Sequence, residues 1–275
     1  MSGSGADETA GARATVTREA QRDAVELSGT IAVLADVHGN LPALEAVLGD
    51  MTRFDVTDVV SLGDMSNFGP APRESLRRLR SLEPVTLILG NTDQYLLTPR
   101  TLADVGSPNE ETPRFLEVEA WCAARLADED REFLRSFRPT ASLVLDEVEV
   151  LAYHGSPRSF DDQVRSSTDD DTLDPWFAGY GAGVLAGAHT HEQFLRRYHD
   201  RTLFNPGSVG MPFRTPRGGH TQSPSLAEYA LLSVVNEQPN ITFRRVRYDL
   251  LDLRNLGESS GMPHWEWWFH DWRQA

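Results

Sequence analysis

The chain has 275 residues, 40% of them hydrophobic, which is enough for one large α/β domain or two small ones. Its single cysteine, Cys122, excludes an internal disulfide framework. Its formal net charge is −15 and all 26 basic residues are arginine, so we expect no binding along a long nucleic acid, because such a surface repels polyanions. No apolar run reaches the roughly 18 residues of a membrane span and residues 1–29 lack a signal-peptide pattern, which favours a cytoplasmic protein without a membrane contact.

The first third of the chain alternates between strand and helix patterns. Residues 1–28 are small and polar, without an apolar period, and predict a disordered lead; residues 29–275 are predicted to form a single domain. The runs "TIAVLADVHGN", "DVVSLGD" and "VTLILGN" are apolar and end in small polar residues, and helical spacing follows the first two. This order is typical of α/β folds, in which ligands bind at the carboxyl ends of strands.

The rest of the chain is more mixed. Residues 98–138 predict a helical insert, and "ASLVLD" with "VEVLAYHG" predicts a hairpin. The runs "TLFNPGSVG", "AEYALLSVV" and "ITFRRVRYD" are three strand candidates for a second sheet. Residues 262–273 predict an aromatic helix, in which Trp265, Trp268, Phe269 and Trp272 share one face. We expect this face to pack on its own domain, with a dimer or partner surface as the alternative.

Five of the predicted strands end in residues that can bind a metal ion. In an extended segment, residues two apart project to the same side, so each Asp-x-His or His-x-His pair can offer two ligands to one place. Histidine and carboxylate without thiolate suit a divalent ion such as Mn, Fe, Zn or Ni. Each motif alone is more often a turn, a cap or a core histidine; their shared position at strand ends favours a metal site. The seven residues are Asp36, His38, Asp64, Asn91, His154, His189 and His191.

In this order and at these intervals the motifs resemble the calcineurin-like metallophosphoesterase superfamily. The motifs are Asp36-x-His38, Gly63-Asp64, Gly90-Asn91-x-Asp93, His154 and His189-x-His191. The stretches "DVHGNLPAL", "LGDMSNFGPAP" and "NPGSVGMP" further resemble its YfcE-like phosphodiesterase branch. The resemblance implies an α/β fold in the form of a four-layer αββα sandwich, two mixed β-sheets flanked by helices, with a dinuclear site at the strand ends.

The resemblance also implies roles for these residues. Asp36, His38, Asp64 and His191 would hold one divalent ion, and Asp64, Asn91, His154 and His189 would hold the second, so Asp64 bridges. Manganese is favoured, with Fe, Zn, Ni or Co as alternatives. A hydroxide held by the two ions would attack phosphorus directly. Asn91 would also contact a phosphate oxygen, and Asp93 would orient a ligand histidine.

Thr92 departs from the pattern of the superfamily. Many members have a histidine at this position, which is thought to protonate the leaving group. A threonine hydroxyl is not a proton donor near neutral pH. We therefore expect Thr92 to restrict which esters are cleaved.

Several loop residues are weaker candidates. Arg158, Arg165, Arg214 and Arg217 follow motif strands and could bind a substrate phosphate, although solvated loop arginines are the commoner case. His220 is a candidate acid on a Gly/Pro-rich loop.

Three functions are consistent with the sequence. The first is a dinuclear-metal-dependent hydrolase of small, cyclic-nucleotide-like phosphodiesters. The second is a phosphomonoesterase or nucleotide pyrophosphohydrolase with the same metals, and the third is a non-catalytic interaction scaffold, as the retromer subunit of similar fold suggests. The expected partner is a small phosphate-ester substrate, and homo-oligomerisation is left open.

Overall fold

The computed structural model describes residues 24–215 and 219–275. Residues 1–23 of the predicted lead therefore lie outside the described residues. The prediction that the lead extends to residue 28 is wrong, because β1 (Val25–Leu27) pairs in parallel with β5 (Thr140–Leu145). Val25 and Leu27 pack against the inter-sheet core. Three residues are too few to show a strand pattern.

The first half of the domain alternates strands and helices as predicted. The elements are β2 (Thr30–Leu34), α1 (Leu41–Met51), β3 (Val56–Ser61), α2 (Pro72–Arg80), β4 (Val85–Leu87) and α3 (Asn91–Leu97). The side chain of Asn40 caps α1 by accepting a hydrogen bond from the Ala43 amide, 3.2 Å away. The insert that follows contains a 3₁₀ turn (Leu102–Asp104), α4 (Thr112–Arg125) and α5 (Asp128–Arg135).

The second half is mostly strands. β5 and β6 (Val148–Tyr153) form the predicted hairpin. The remaining elements are α6 (Asp170–Leu173), β7 (Val184–Ala186), β8 (Phe194–Tyr198), β9 (Arg201–Asn205), β10 (Ser223–Pro224), β11 (Leu226–Val235), β12 (Gln238–Arg247), α7 (Leu250–Ser260), α8 (Trp265–Phe269) and β13 (Trp272–Arg273).

These strands form two large mixed sheets. The five-stranded sheet has the order β12-β11-β2-β3-β4, and the six-stranded sheet has the order β1-β5-β6-β7-β9-β8. The assignment of the last three strand candidates to one second sheet is wrong. β9 lies in the six-stranded sheet, whereas the β11-β12 hairpin extends the sheet of β2 because β11 pairs antiparallel with β2. An apolar strand pattern predicts burial but not its neighbour.

The two sheets face each other across a shared core, which confirms the predicted sandwich. Along β2, Ile31 and Val33 point into this inter-sheet core, whereas Ala32 and Leu34 face the helices. The outer face of the five-stranded sheet is covered by α1, α4, α7 and α8, among others. In the described chain, the outer face of the six-stranded sheet is covered by the short α6 and its loops. Within the described residues, no helix combines the length and apolar character that crossing a bilayer requires.

The predicted C-terminal helix is shorter than expected. Only Trp265–Phe269 is helical, because Pro263 disfavours helix before it and His264 has a left-handed backbone with φ 56°. Trp272 lies instead in a small sheet with β10. Trp268 and Trp272 are buried in the core beside α7, so the aromatic face packs on its own domain.

Candidate metal centre

The seven predicted ligand residues meet at one edge of the sandwich. Asp36 and His38 follow β2, Asp64 follows β3, and Asn91 begins α3 after β4. From the facing sheet, His154 follows β6, and the loop after β7 carries the other two histidines. The carboxyl ends of five strands, three from one sheet and two from the other, therefore supply the site.

The ligand atoms form two groups of three. Asp36, His38 and His191 make the first group, and within each group the ligand atoms lie within 4.8 Å of one another. The second group is Asp64, His154 and His189. The expectation that the His-x-His pair serves one place is wrong here, because His191 lies in the first group and His189 in the second. This is the division that the resemblance implied.

Asp64 belongs to the second group and also lies close to the first. Its Oδ2 is 3.3 Å from His154 Nε2 and 3.8 Å from His38 Nε2. Its Oδ1 accepts a hydrogen bond of 2.9 Å from the Thr92 amide. Asn91 Oδ1 joins the second group, 3.0 Å from His154 Nε2. One carboxylate is thus held within reach of both groups.

Five of the site residues have a left-handed backbone. Such a conformation costs free energy in residues other than glycine and is concentrated at functional sites. Hydrogen bonds between neighbouring loops hold it in place, including those from Asp36 N to the Gly63 carbonyl and from His38 N to the Asp64 carbonyl. The residues and their φ angles are Asp36 55°, His38 48°, Asp64 60°, His189 70° and His191 55°.

The imidazoles of the first group are fixed by backbone carbonyls. His38 Nδ1 lies 3.1 Å from the Asn67 carbonyl, and His191 Nδ1 lies 2.6 Å from the Met211 carbonyl. A carbonyl only accepts, so each Nδ1 carries the proton and each Nε2 is a bare acceptor. These two Nε2 atoms are 3.1 Å apart. Two acceptors facing each other without a proton favour a cation between them.

The electrostatics of the site also favour neutral imidazoles. Burial lowers the pKa of His191 to about 3 and that of His189 to about 4, and it lowers the pKa of His38 as well. Neutral imidazole is the form that binds metal. His154 differs. Burial opposes its charge, but the Asp64 carboxylate, with smaller contributions from Asp36 and the Leu62 carbonyl, raises the pKa of His154 to about 9.

The carboxylate of Asp36 provides the test of whether a cation fits. Both of its oxygens are buried and neither has a hydrogen-bond partner among the described residues. Burial raises the pKa of Asp36 well above its usual value. A buried, unpartnered carboxylate costs several kcal/mol unless a charge compensates it. The donor set, carboxylate and imidazole without thiolate, fits a divalent ion of the Mn, Fe, Zn class.

Asp93 and two glycines shape the loop around Asp64. Asp93 accepts hydrogen bonds from the amides of Asp64 and Met65 at 2.7 and 2.9 Å. Asp93 therefore positions this loop, and the predicted hydrogen bond to a ligand histidine is not found among the described residues. A Cβ at Gly63, whose φ is 100°, would lie 2.6 Å from the Gly90 nitrogen. A Cβ at Gly90 would overlap Asp64 Oδ1. Only glycine lets these two strand ends approach so closely.

Tyr95 is a site residue that the sequence reasoning missed. Its hydroxyl accepts a hydrogen bond of 3.2 Å from Asn91 Nδ2 and lies 3.2 Å from Asp161 Oδ1. This contact turns Asn91 Oδ1 towards His154. Tyr95 follows Asn91 by four residues on α3, a spacing that places side chains on one helix face and could have revealed it.

The weaker candidates lie apart from the site or are paired. Arg158 binds Asp162 at 2.6 Å and lies over the Trp176 ring, and Arg165 is 3.7 Å from Glu192. Arg214 and His220 are exposed, and Arg217 lies outside the described residues. The exposed ring of Phe213 instead stacks on His191, with ring centroids 4.8 Å apart.

Comparison with known proteins agrees with this geometry. The family model of the calcineurin-like phosphoesterase superfamily domain matches residues 30–236. An uncharacterised protein of Methanocaldococcus jannaschii is 26% identical over 251 residues, which cover 86% of this chain and 94% of that protein.

Two solved structures are similar over most of their length. A metallophosphoesterase from Sphaerobacter thermophilus has a TM-score of 0.69 and 26% identity, covering 89% of this chain and 98% of that one. A hypothetical protein from Pyrococcus horikoshii has a TM-score of 0.71 and 22% identity, covering 86% and 95% respectively, and this likeness concerns the fold alone.

Proposed function

Because the chain belongs to the calcineurin-like phosphoesterase superfamily, we propose that it is a hydrolase of small phosphodiesters that depends on two divalent metal ions. Membership of a phosphoesterase superfamily supports hydrolase activity. The observation that carries the dinuclear part is the closeness of Asp64 to both groups of ligand atoms, beside the unpartnered Asp36 carboxylate. The finer placement in the YfcE-like branch stays a prediction.

We assign the ligands from the two groups. Asp36, His38 and His191 would hold one ion, and His154, His189 and Asn91 the other, with Asp64 shared. Manganese is the ion we propose, among divalent ions of the same class. When bound, two such ions supply a water of lowered pKa and a positive clamp for phosphate oxygens.

The protein's own groups orient the ester. Asn91 lies at the amino end of α3 with its side chain held by Tyr95, so it is placed to contact a phosphate oxygen. The Thr92 hydroxyl is buried, has no partner among the described residues and can donate a hydrogen bond to a substrate oxygen. It does not supply a proton near neutral pH. This favours esters whose leaving group departs as a stable anion, as in activated diesters.

Turnover of an aryl diester beside the corresponding monoester tests the proposal, with protein reconstituted with Mn²⁺ and its metal content measured. We expect two ions per chain and faster turnover of the diester. Faster turnover of the monoester would favour the phosphomonoesterase alternative. Two bound ions without turnover of either ester would favour a binding protein.

The first prediction concerns Asp64→Asn. An amide still accepts the Thr92 hydrogen bond but lacks the charge that would balance two ions, so we expect turnover to fall at least 10²-fold with the fold retained. Metal content, kcat and the melting temperature check this, with the exposed Asp55→Asn as a matched control. Near-normal turnover in Asp64→Asn would mean that Asp64 is only a turn residue.

A further inference from the structure

A cavity opens directly beside Asn91 and Thr92, which line it, whereas none of the four ligand histidines is among its lining residues. Its volume is about 240 Å³. A cavity of about 150 Å³ lined by apolar side chains accommodates a benzene ring, so this one has room for a substituted ring. Its walls come from the site on one side and from the helical insert on the other.

Five of the nine residues that line the cavity are aromatic or aliphatic. Phe68 and Phe115 meet edge to face, with ring centroids 5.8 Å apart. Tyr95 forms another wall, and Val105 and Leu116 of the insert contribute aliphatic surface. Phe115 is 37% exposed although it is a large apolar residue. An aromatic side chain left partly open at a cavity mouth is available to cover a ligand.

The charge of the cavity is balanced within the protein. Arg100 lies over the Tyr95 ring, 3.5 Å from its centroid, and its guanidinium binds the buried Glu119 at 2.7 Å. Arg100 is thus committed to Glu119 and is not a free cation for a second phosphate. The other polar side chains of the lining are those of Asn91, Tyr95, Thr112 and Thr92. The first three have hydrogen-bond partners, whereas the buried Thr92 hydroxyl has none among the described residues.

We propose that this cavity is the subsite for a flat aromatic group carried by the phosphate ester. The proposal rests on the proposed function, because the ring is placed by its attachment to a phosphoryl group at Asn91. The lining residues Asn91 and Thr92 belong to the site itself, so the ring lies within a bond or two of phosphorus, as in an aryl ester. The Thr92 hydroxyl would donate a hydrogen bond to the ester oxygen or to a polar ring substituent.

Binding of unreactive phosphonates tests the subsite without turnover. Phenylphosphonate, cyclohexylphosphonate and methylphosphonate carry the same charged group and differ only in the group that would enter the cavity. Calorimetry with Mn²⁺-loaded protein should give phenylphosphonate an affinity about tenfold above methylphosphonate, with cyclohexylphosphonate weaker than phenyl, because stacking on aromatic side chains favours a flat ring.

Variants test whether the preference for phenylphosphonate arises in this cavity. Phe115→Ala should reduce the preference for phenyl over methyl at least threefold, whereas Leu251→Ala, which truncates a 56% exposed leucine on α7, should leave it unchanged. Equal affinity for phenyl and methyl, or a preference that Phe115→Ala does not alter, would overturn the subsite. Cyclohexyl binding as tightly as phenyl would overturn its aromatic character.

The outcome is separable from that of the proposed function. A phenyl preference without hydrolysis of any ester would retain the subsite and reject the hydrolase. Hydrolysis of diesters without a phenyl preference would retain the hydrolase and reject the subsite.

Discussion

Thr92 is the residue that distinguishes this site from the histidine-containing pattern. It is 6% exposed, its amide binds Asp64 Oδ1, and its hydroxyl has no partner among the described residues. We expect a side chain at this position to lie near a bound ester, because Thr92 adjoins Asn91 of the second ligand group and lines the neighbouring cavity. As the resemblance implies for the histidine of other members, we expect a group at this position to act on the departing oxygen.

We predict that Thr92→His raises monoesterase activity relative to diesterase activity. A positioned acid contributes about 10² to 10⁴ in rate when the leaving oxygen needs a proton, and less when that oxygen is already a stable anion. We expect the ratio of the two kcat/KM values to change at least tenfold towards the monoester.

The ratio should be measured at several pH values at saturating metal, because the imidazole can also bind an ion and lower both rates. Thr92→Val removes the hydroxyl without adding an acid and should not shift the ratio towards the monoester. An unchanged ratio in Thr92→His across pH would contradict the role given to this position.

Tyr95 is predicted to position Asn91. Tyr95→Phe keeps the ring beneath Arg100 but removes the hydroxyl that accepts from Asn91 Nδ2. Loss of a group that orients a metal ligand typically costs 10- to 100-fold in metal affinity or activity, so we expect about a tenfold loss of Mn²⁺ affinity. Calorimetric titration with Mn²⁺ measures this, and Tyr180→Phe is the control. Unaltered affinity would show that Asn91 needs no such support.

At the scale of elements, the sequence predicted the strands that carry the site better than their arrangement. The runs before Asp36, Asp64 and Asn91 each contain a strand, as predicted, because an apolar run is visible in the local sequence pattern. The spacing of His189 and His191 did not predict their division between two groups, which only the resemblance to the superfamily implied. The pairing of β11 with β2 depends on long-range packing.

The C-terminal aromatic segment shows the same limit. Its helical face was visible in the spacing of Trp265, Trp268 and Trp272, but the helix ends at Phe269 because the next residues pair with β10. The backbone amides of Ser223 and Ser225 donate to the carbonyls of Asp271 and Arg273. This pairing joins positions about 50 residues apart, so local pattern could not reveal it.

Gly257 tests how tightly this segment packs. A Cβ at Gly257 on α7 would overlap the Trp265 ring, whereas a Cβ at Gly49 on α1 meets nothing within 4 Å. Glycine to alanine in an open helix position stabilises by about 0.5 to 1 kcal/mol, but overpacking costs about 1 to 3 kcal/mol. We therefore predict that Gly257→Ala lowers the free energy of unfolding and that Gly49→Ala raises it.

Denaturation by urea measures both changes. A stabilised Gly257→Ala protein would mean that Trp265 moves aside readily and that the segment is loosely packed.

At the scale of the whole molecule, the site lies across the boundary between the two sheets. Each group of ligands draws from both: Asp36 and His38 follow the five-stranded sheet and His191 the six-stranded one, and Asp64 is similarly joined to His154. An ion in either group would therefore cross-link the sandwich. Without an ion, the Asp64 carboxylate still lies beside His154, whereas the buried Asp36 carboxylate has no hydrogen-bond partner among the described residues.

This arrangement predicts that metal loading stabilises the whole domain. At a free ion concentration of a hundred times Kd, each ion adds about 2.7 kcal/mol, so two ions should raise the melting temperature by roughly 10 to 20 °C. Calorimetric scans with Mn²⁺ and with a chelator measure the difference.

Asp36→Asn should raise the melting temperature of the metal-free protein and reduce the stabilisation that Mn²⁺ provides. Burial raises the pKa of Asp36, so the folded chain holds this proton more tightly than the unfolded chain, and the metal-free wild type loses stability as pH rises above about 4. The amide has no charge to bury, so Asp36→Asn should melt higher than wild type without metal at pH 7, by a margin that shrinks towards pH 4. It should also lose the part of the Mn²⁺ stabilisation due to the first group, about half, because one carboxylate ligand is gone. Exposed Asp55→Asn should do neither. If Asp36→Asn instead lowers the metal-free melting temperature at pH 7, the unpartnered carboxylate is not the destabilising charge that favours a cation here.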